Sequence, residues 1–218
     1  MCSSDLACAT LLACALGLLL GAWLGVARFR GRDAVLTLLN TFLALPSVVV
    51  GLLVYLLLSR SGPLGHLGWL FSVKAMIVAQ TVLVLPVCMA LVRQQIEDAD
   101  RVHGEQLQSL GAGLLGRGLL LAWDARFALL TVCIAVFGRA ISEVGAVMMV
   151  GGNIDGFTRV MTTAIALETS KGDLPLALAL GAVLLWVVLC LNACIAVLRR
   201  WRIRREGSFA GSSGVISA

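Results

Sequence analysis

The chain has 218 residues, of which 60% are apolar and only 13% are charged, and its mean hydropathy is +0.98. A soluble domain carries about 25% charged residues, so too few polar side chains remain here to cover a surface that faces water. The composition therefore predicts an integral membrane protein. At roughly 20 apolar residues per crossing, the length allows five or six spans with their loops and excludes a large soluble domain. A catalytic unit with its own fold would have to lie on another chain.

Five long apolar runs predict an all-α membrane fold with about five transmembrane helices. The runs are residues 6–27, 34–58, 73–92, 127–150 and 174–198, within a single membrane domain of residues 1–206. Asp5 stands where a signal peptide would be basic, so we interpret the first run as a span. Pro46 is expected to kink the second run. The tail of residues 207–218 is rich in Ser and Gly and is predicted to be disordered.

The basic residues predict the orientation in the membrane, because cytoplasmic loops retain Lys and Arg. With the N-terminus outside and the C-terminus in the cytoplasm, twelve basic residues are cytoplasmic and four are external. The twelve are Arg28, Arg30, Arg32, Arg93, Arg101, Arg117, Arg126, Arg199, Arg200, Arg202, Arg204 and Arg205; the four are Arg60, Lys74, Arg159 and Lys171. Residues 93–126 then form the long cytoplasmic connection, and residues 151–173 form the long external one. This topology accounts for the net charge of +5 without a nucleic-acid partner.

The cysteines are interpreted as small apolar fillers, because they lie singly in or beside apolar runs. They are Cys2, Cys8, Cys14, Cys88, Cys133, Cys190 and Cys194. The last two share a helix face, but no His or acidic residue stands near them. No metal site is predicted.

The fourth run contains a pair of charges, Arg139 and Glu143, with Ser142 beside them. A charge at the centre of a span costs about 2.5–3.5 kcal/mol, so the pair costs roughly 5–7 kcal/mol. The eleven Leu, Ile, Phe and Val residues of the run offset roughly 3–7 kcal/mol. The charged face is therefore expected to meet protein or a wet cavity. It either lines a translocation path or its gate, or it is a buried pair that pins two helices together; it could also be half of a proton relay.

The external connection begins with a turn-rich break at residues 151–156. The stretch that follows, residues 157–168, is too short to cross a bilayer, and Thr158 is its predicted N-cap. It is interpreted as a half-helix or surface helix over the external mouth. Its backbone donors, one arginine and three hydroxyls would suit an anion, although the same groups would serve an ordinary capped helix. These side chains are Arg159, Thr158, Thr162 and Thr163.

The cytoplasmic connection contains a predicted docking element. Leu107, Leu110 and Leu114 recur at i, i+3 and i+7 and form a small apolar stripe. A short amphipathic helix that ends at a glycine has the right shape to enter a groove in a partner protein. Residues 111–116 match G-x-G-x-x-G, but no strand precedes them, so we reject nucleotide binding there. The chain has no P-loop motif for ATP.

Residues 105–111, Glu-Gln-Leu-Gln-Ser-Leu-Gly, resemble the "EAA" loop of binding-protein-dependent ABC importer permeases, in which a glycine follows an acidic residue by six positions. Glu105 and Gly111 match this pattern. Gln106 and Leu107 replace its two alanines, and Asp124 stands near the expected proline. The resemblance implies a coupling helix that carries motion from an ATPase to the membrane. Its implied docking residues are Glu105, Leu107, Leu110 and Gly111.

Two further stretches, residues 138–173 and 45–65, look like the permease of tungstate ABC importers, a branch close to the molybdate and sulfate permeases. The resemblance covers most of residues 28–192, and the neighbouring branches share its EVGA and GGNI core. It implies a type I ABC importer fold, with a pathway or gate formed by the charged span and the external connection. The implied residues are Arg139, Ser142, Glu143, Gly145, Gly151, Gly152, Asn153, Thr158, Arg159, Thr162 and Thr163.

The resemblance also implies the assembly. A homodimer is expected in the bacterial plasma (inner) membrane, with two separate ATPase subunits that bind ATP. A periplasmic or extracellular solute-binding protein would supply the selectivity. The chain itself is expected to hold no cofactor or metal and to catalyse no reaction. The open alternatives are a molybdate or sulfate permease, a proton-coupled anion carrier that works without an ATPase, and a structural membrane subunit with no pore.

Overall fold

The computed structural model describes the backbone of residues 2–212 and the side chains of residues 7–114 and 116–197. Over the described backbone the chain is helical and contains no strand. The helices are α1 (Cys2–Val26), α2 (Arg32–Ala44), α3 (Ser47–Leu58), α4 (Val73–Ser109), α5 (Leu114–Asp124), α6 (Arg126–Ile141), α7 (Gly145–Gly151), α8 (Met161–Lys171) and α9 (Leu174–Ser212), with a 3₁₀ turn at Gly65–Leu67. Helix α9 extends into the tail predicted to be disordered, and residues 213–218 lie outside the described part of the chain.

In the described part of the chain, three helices are long and apolar enough to cross a bilayer, over Ala7–Val26, Val73–Ser109 and Leu174–Val197. Two bent pairs raise the number of spans to five if each pair counts as one. Helices α2 and α3 meet at 99°, and residues Gly116–Asp124 of α5 meet α6 at 79°. The all-α membrane fold is therefore confirmed, with three to five candidate spans.

The second and fourth apolar runs are broken, where the sequence predicted one span each. In the second run the helix stops at Ala44, because Leu45 is held extended before Pro46. Pro46 thus separates two helices at a steep angle, which is more than the predicted kink. In the fourth run α6 ends at Ile141 and α7 begins only at Gly145, so the single helix expected over 127–150 is two helices, while the bounds of the span stay a prediction.

The third run is longer than predicted. Helix α4 passes through Pro86 and continues beyond residue 92 to Ser109. Proline is tolerated inside membrane helices because neighbouring groups can satisfy the freed carbonyl. The first half of the predicted cytoplasmic connection is consequently part of this helix.

Close packing of α1 on α4 forms the centre of the fold. Gly17, Gly21 and Gly25 of α1 face Cys88, Val92 and Ile96 of α4, one turn apart on each helix. A Cβ at Gly21 would lie only 2.8 Å from the Val92 Cβ. Small residues at four-residue intervals let two helix backbones approach closely. Around this contact, side chains from α3, α5, α6 and α7 complete the buried core.

Helix α9 has a different environment. It packs against α6 and α8, but most of its apolar side chains between residues 174 and 197 are exposed, and only Ala177 among them is buried. Leu178, Leu185 and Trp186 are examples. An exposed apolar helix of this length is typical of a span that faces lipid.

Candidate functional site

The break between α6 and α7 is built around Glu143. Its Oε2 accepts a hydrogen bond from the Arg139 Nη1 at 3.2 Å, and its Oε1 accepts one from the Ala146 N–H at 3.4 Å. The carboxylate therefore satisfies a main-chain donor at the start of α7, where a negative charge is favoured. The Glu143 side chain is 2% exposed and the Arg139 side chain is 47% exposed. The predicted ion pair is present, but it spans the end of α6 and is buried on one side only.

Contacts from α8 and α3 hold the same break. Thr162 donates from its hydroxyl to the Glu143 carbonyl oxygen at 3.1 Å, in a buried position. Across the other side, a Cβ at Gly145 would lie 2.8 Å from a methyl group of Val48, and a Cβ at Gly51 would lie 2.7 Å from the Ala146 Cα. Helices α3, α6, α7 and α8 thus converge where the buried carboxylate lies. Ser142 is exposed, and its hydroxyl donates to the Arg139 carbonyl oxygen at 2.9 Å.

The threonines of the external connection hold the backbone in place. The Thr158 hydroxyl donates to the Gly151 carbonyl oxygen at 2.6 Å and accepts from the Ile154 N–H at 2.8 Å. The Thr163 hydroxyl donates to the Val160 carbonyl oxygen and accepts from the Val160 N–H, each at 3.0 Å.

The start of α8 corrects one prediction, and the hydroxyl bonds bear on another. Helix α8 begins at Met161 with Val160 as its N-cap, so the prediction of Thr158 as N-cap is wrong. A hydroxyl has a single hydrogen, and Thr158, Thr162 and Thr163 each donate theirs to a carbonyl. In this structure these hydroxyls therefore serve the backbone, and their use as donors to an anion stays a prediction.

The turn before α8 depends on unusual backbone conformations. Gly152 and Asn153 have φ values of +70° and +51°, in the left-handed region that favours glycine and tolerates asparagine. A Cβ at Gly152 would lie 2.8 Å from the Phe71 ring, so glycine is also needed for space. Arg159 pairs with Asp155 at 3.0 Å. The two arginines predicted to lie along the pathway, Arg139 and Arg159, both have partly exposed side chains.

The predicted coupling residues lie at the end of α4. Glu105 is exposed, Leu110 is 81% exposed, and Leu107 packs against the core. Gly111 has φ +74° and follows the helix end, as expected for a left-handed C-terminal glycine. The prediction of a separate short helix that carries Leu107, Leu110 and Leu114 is wrong, because α4 ends at Ser109 and Leu114 begins α5.

Two ion-pair groups that the sequence did not reveal hold this region together. Asp100 accepts two hydrogen bonds from Arg117, at 2.7 Å from Nε and 2.5 Å from Nη2, and both side chains are largely buried. Glu97 pairs with Arg93 at 2.7 Å and with Arg32. These contacts tie α5 and α2 to α4. Arg117 and Asp100 are 17 positions apart, so no local spacing could have predicted the pair.

Comparisons with known proteins find relatives that match most of the chain, although no protein-family model matches it. The chain is 42% identical over 204 residues (91% of this chain and 87% of the relative) to the "Probable anion ABC transporter permease protein" of Haloferax volcanii. It is 43% identical over 187 residues (86% and 82%) to the "Tungstate uptake system permease protein TupB" of Peptoclostridium acidaminophilum. It is 40% identical over 172 residues (79% and 72%) to the protein of the same name from Campylobacter jejuni. More distant relatives carry the names of molybdenum and sulfate transport permeases.

Proposed function

The chain belongs to the ABC transporter permease family that includes the tungstate uptake permeases, and we propose that it forms the membrane pathway of an ATP-driven tungstate importer. The resemblance predicted from the residues is confirmed by these relatives. The observation that carries the proposal is 40–43% identity to two tungstate permeases over most of both chains. The chain is a multi-pass membrane protein with a transport role.

The proposed assembly places the energy source on other chains. Two ATPase subunits would bind the cytoplasmic side of a homodimer in the plasma membrane, and an external solute-binding protein would deliver the anion. The absence of a P-loop motif from the sequence supports a separate ATPase. The distribution of basic residues supports an external N-terminus and a cytoplasmic C-terminus.

Within this assembly, the break around Glu143 acts as the gate. The Glu143 carboxylate accepts hydrogen bonds from α6 and α7, and the Glu143 main-chain carbonyl accepts one from α8. A displacement of any one of these helices therefore changes its contacts with the other two. Arg139 is the cation best suited to meet the anion. Its guanidinium carries five N–H donors, and its side chain is half exposed although it pairs with Glu143.

Reconstitution into liposomes tests the proposal. The chain is combined with its cognate ATPase and solute-binding protein, and tungstate uptake is measured with and without ATP. ATP-dependent uptake is expected. Accumulation by the chain alone under a pH gradient, without ATP, would instead establish the proton-coupled carrier.

The identity of the anion is tested on the solute-binding protein. Tungstate, molybdate and sulfate compete for binding there, and tungstate is expected to bind most tightly. The relatives named for molybdenum and sulfate transport make those anions the second candidates. Tighter binding of either one would replace tungstate as the cargo without changing the transport mechanism.

The Glu105→Lys substitution should uncouple transport from the ATPase. Glu105 is exposed near the tip of α4, so a reversed charge would disturb a docked ATPase and leave the fold intact. We expect at least tenfold less stimulation of the ATPase by the permease, the equivalent of about 1.4 kcal/mol.

Asp98→Lys is the matched control, because Asp98 is exposed on the same helix, about two turns earlier and on nearly the same face. It makes the same change of charge closer to the membrane and should leave stimulation unchanged. Equal stimulation in the Glu105 variant and the wild type would contradict the docking role.

A further inference from the structure

Helix α5 has two apolar faces, of which only one is covered. The inner face carries Leu121, which is buried in the core together with Ala125, the residue that follows the helix. The outer face carries Leu119 and Trp123, which are 74% and 72% exposed, together with the exposed Leu120. Positions i, i+1 and i+4 lie on one side of a helix, so these three side chains form a continuous apolar surface, here called the outer face of α5.

The contacts of the inner face set the depth of α5. A Cβ at Gly118 would lie 3.9 Å from the Ala22 carbonyl oxygen and 3.9 Å from a methyl group of Val26. Val26 is the last residue of the apolar span of α1, and Leu121 belongs to the same buried cluster as Ile96. Helix α5 therefore lies level with the end of a span. Since it meets α6 at 79°, it runs close to the plane of the bilayer surface when α6 crosses the membrane.

Aromatic and basic side chains surround this level. The Arg126 guanidinium lies 5.4 Å above the Trp123 ring and 4.9 Å above the Phe127 ring. At the end of α1, Trp23 stacks on Phe29 at 5.5 Å. Arg28 and Arg30 precede and follow Phe29 in the sequence, and both are exposed. Tryptophan is enriched at the headgroup level of membranes, and arginine side chains there reach the phosphates.

We propose that the outer face of α5 is a binding surface for anionic phospholipid. Leu119, Leu120 and Trp123 enter the boundary between headgroups and acyl chains, as the apolar side of an interfacial helix does. Arg126 binds the phosphate of the lipid, and Arg28 and Arg30 add positive charge at the same level of the membrane. The cytoplasmic leaflet is the anionic one, and each arginine near such a surface adds to the attraction.

The geometry favours lipid over a docked protein for this face. The tip of α4 extends 13 residues beyond Ile96, which is about 20 Å at the rise of an α-helix, and it carries the proposed docking residues. Helix α5 returns from that tip to the membrane. The docking residues at the tip of α4 and the outer face of α5 therefore lie at different depths. Of these two, the outer face of α5 is the one next to the spans.

Fluorescence quenching by brominated lipids tests the proposal on the full chain. The protein is reconstituted in vesicles of phosphatidylcholine or phosphatidylglycerol with dibrominated acyl chains, and the signal of Trp123 is isolated by comparison with Trp123→Phe. We expect Trp123 to be quenched, with a preference for phosphatidylglycerol. Arg126→Gln should reduce that preference about fivefold, while Arg126→Lys should keep most of it.

Arg101→Gln is the matched control. It removes the same charge from an exposed position on α4, beyond the apolar run of residues 73–92, and should leave the preference unchanged. An unquenched Trp123 would overturn the proposal and leave the face to a protein partner. Equal quenching by both lipids, or a preference that survives Arg126→Gln and falls with Arg101→Gln, would overturn the anionic site at Arg126.

Discussion

Replacement of Gly21 by leucine should abolish assembly of the protein. A Cβ at this position would lie 2.8 Å from the Val92 Cβ and 2.9 Å from the Met89 carbonyl oxygen. The second contact is to the backbone, so no rotation of a side chain can relieve it, and α1 has to move away from α4. Overpacking of this kind costs about 3 kcal/mol or more. We expect little folded protein on size-exclusion chromatography of detergent-solubilised membranes, and a sharply lower Tm for what remains.

Gly181→Leu provides the control for this prediction. Gly181 lies in the apolar part of α9, and a Cβ there would meet nothing within 4 Å. The same substitution should leave the yield and Tm at wild-type values. If the Gly21 variant assembled as well as the Gly181 variant, the contact between α1 and α4 would not be the centre of the fold.

The apolar runs predicted most of the helices, because hydropathy reports directly which segments avoid water. The breaks were harder to predict. Pro46 marked the first one, since the residue before a proline is driven to extended backbone. The second contains no proline: α6 stops at Ile141, and the Glu143 carboxylate binds a donor at the start of α7. That bond joins residues only three positions apart, but the break also brings Gly145 against α3, and no local pattern encodes this tertiary contact.

The length of α4 was also difficult to predict, because it depends on contacts between residues that are distant in the sequence. Charged residues after Val92 indicated the end of the span and a looser connection. In the structure Glu97 and Asp100 pair with arginines from α2 and α5, so charges that appear solvated in the sequence join three helices. Pairs separated by 65 and 17 positions come from the tertiary fold.

The candidate gate could be predicted in its members but not in its arrangement. Arg139 and Glu143 were expected to pair because they are four positions apart, and they do. The unequal exposure of the two side chains could not be predicted, because it depends on α3 and α8. Thr158 and Thr163 were expected to serve an anion. In the structure their hydroxyls donate to backbone carbonyl oxygens.

The unequal exposure of the pair makes a directional prediction: Arg139→Leu should be more damaging than Glu143→Gln. Loss of Arg139 leaves a carboxylate that is 2% exposed with only the Ala146 N–H as a partner. Removal of one partner from a buried pair costs about 3 kcal/mol at the lower end of the usual range. Loss of the Glu143 charge leaves a guanidinium that is 47% exposed and can extend toward water or lipid phosphate. The Tm in detergent should fall markedly for the first variant and slightly for the second.

The double variant and the uptake assay separate the two roles that the sequence left open for this pair. Arg139→Leu combined with Glu143→Gln removes both charges, so it should recover part of the stability lost by Arg139→Leu alone; no recovery would mean that the arginine acts through some other contact. Tungstate uptake by the stable Glu143→Gln protein then decides the function. Uptake lost at a near-normal Tm makes the carboxylate part of the gate, because the helices are still assembled when transport fails. Uptake retained at that Tm makes the pair a structural pin between α6, α7 and α8, and the gate would have to be sought elsewhere in the membrane domain.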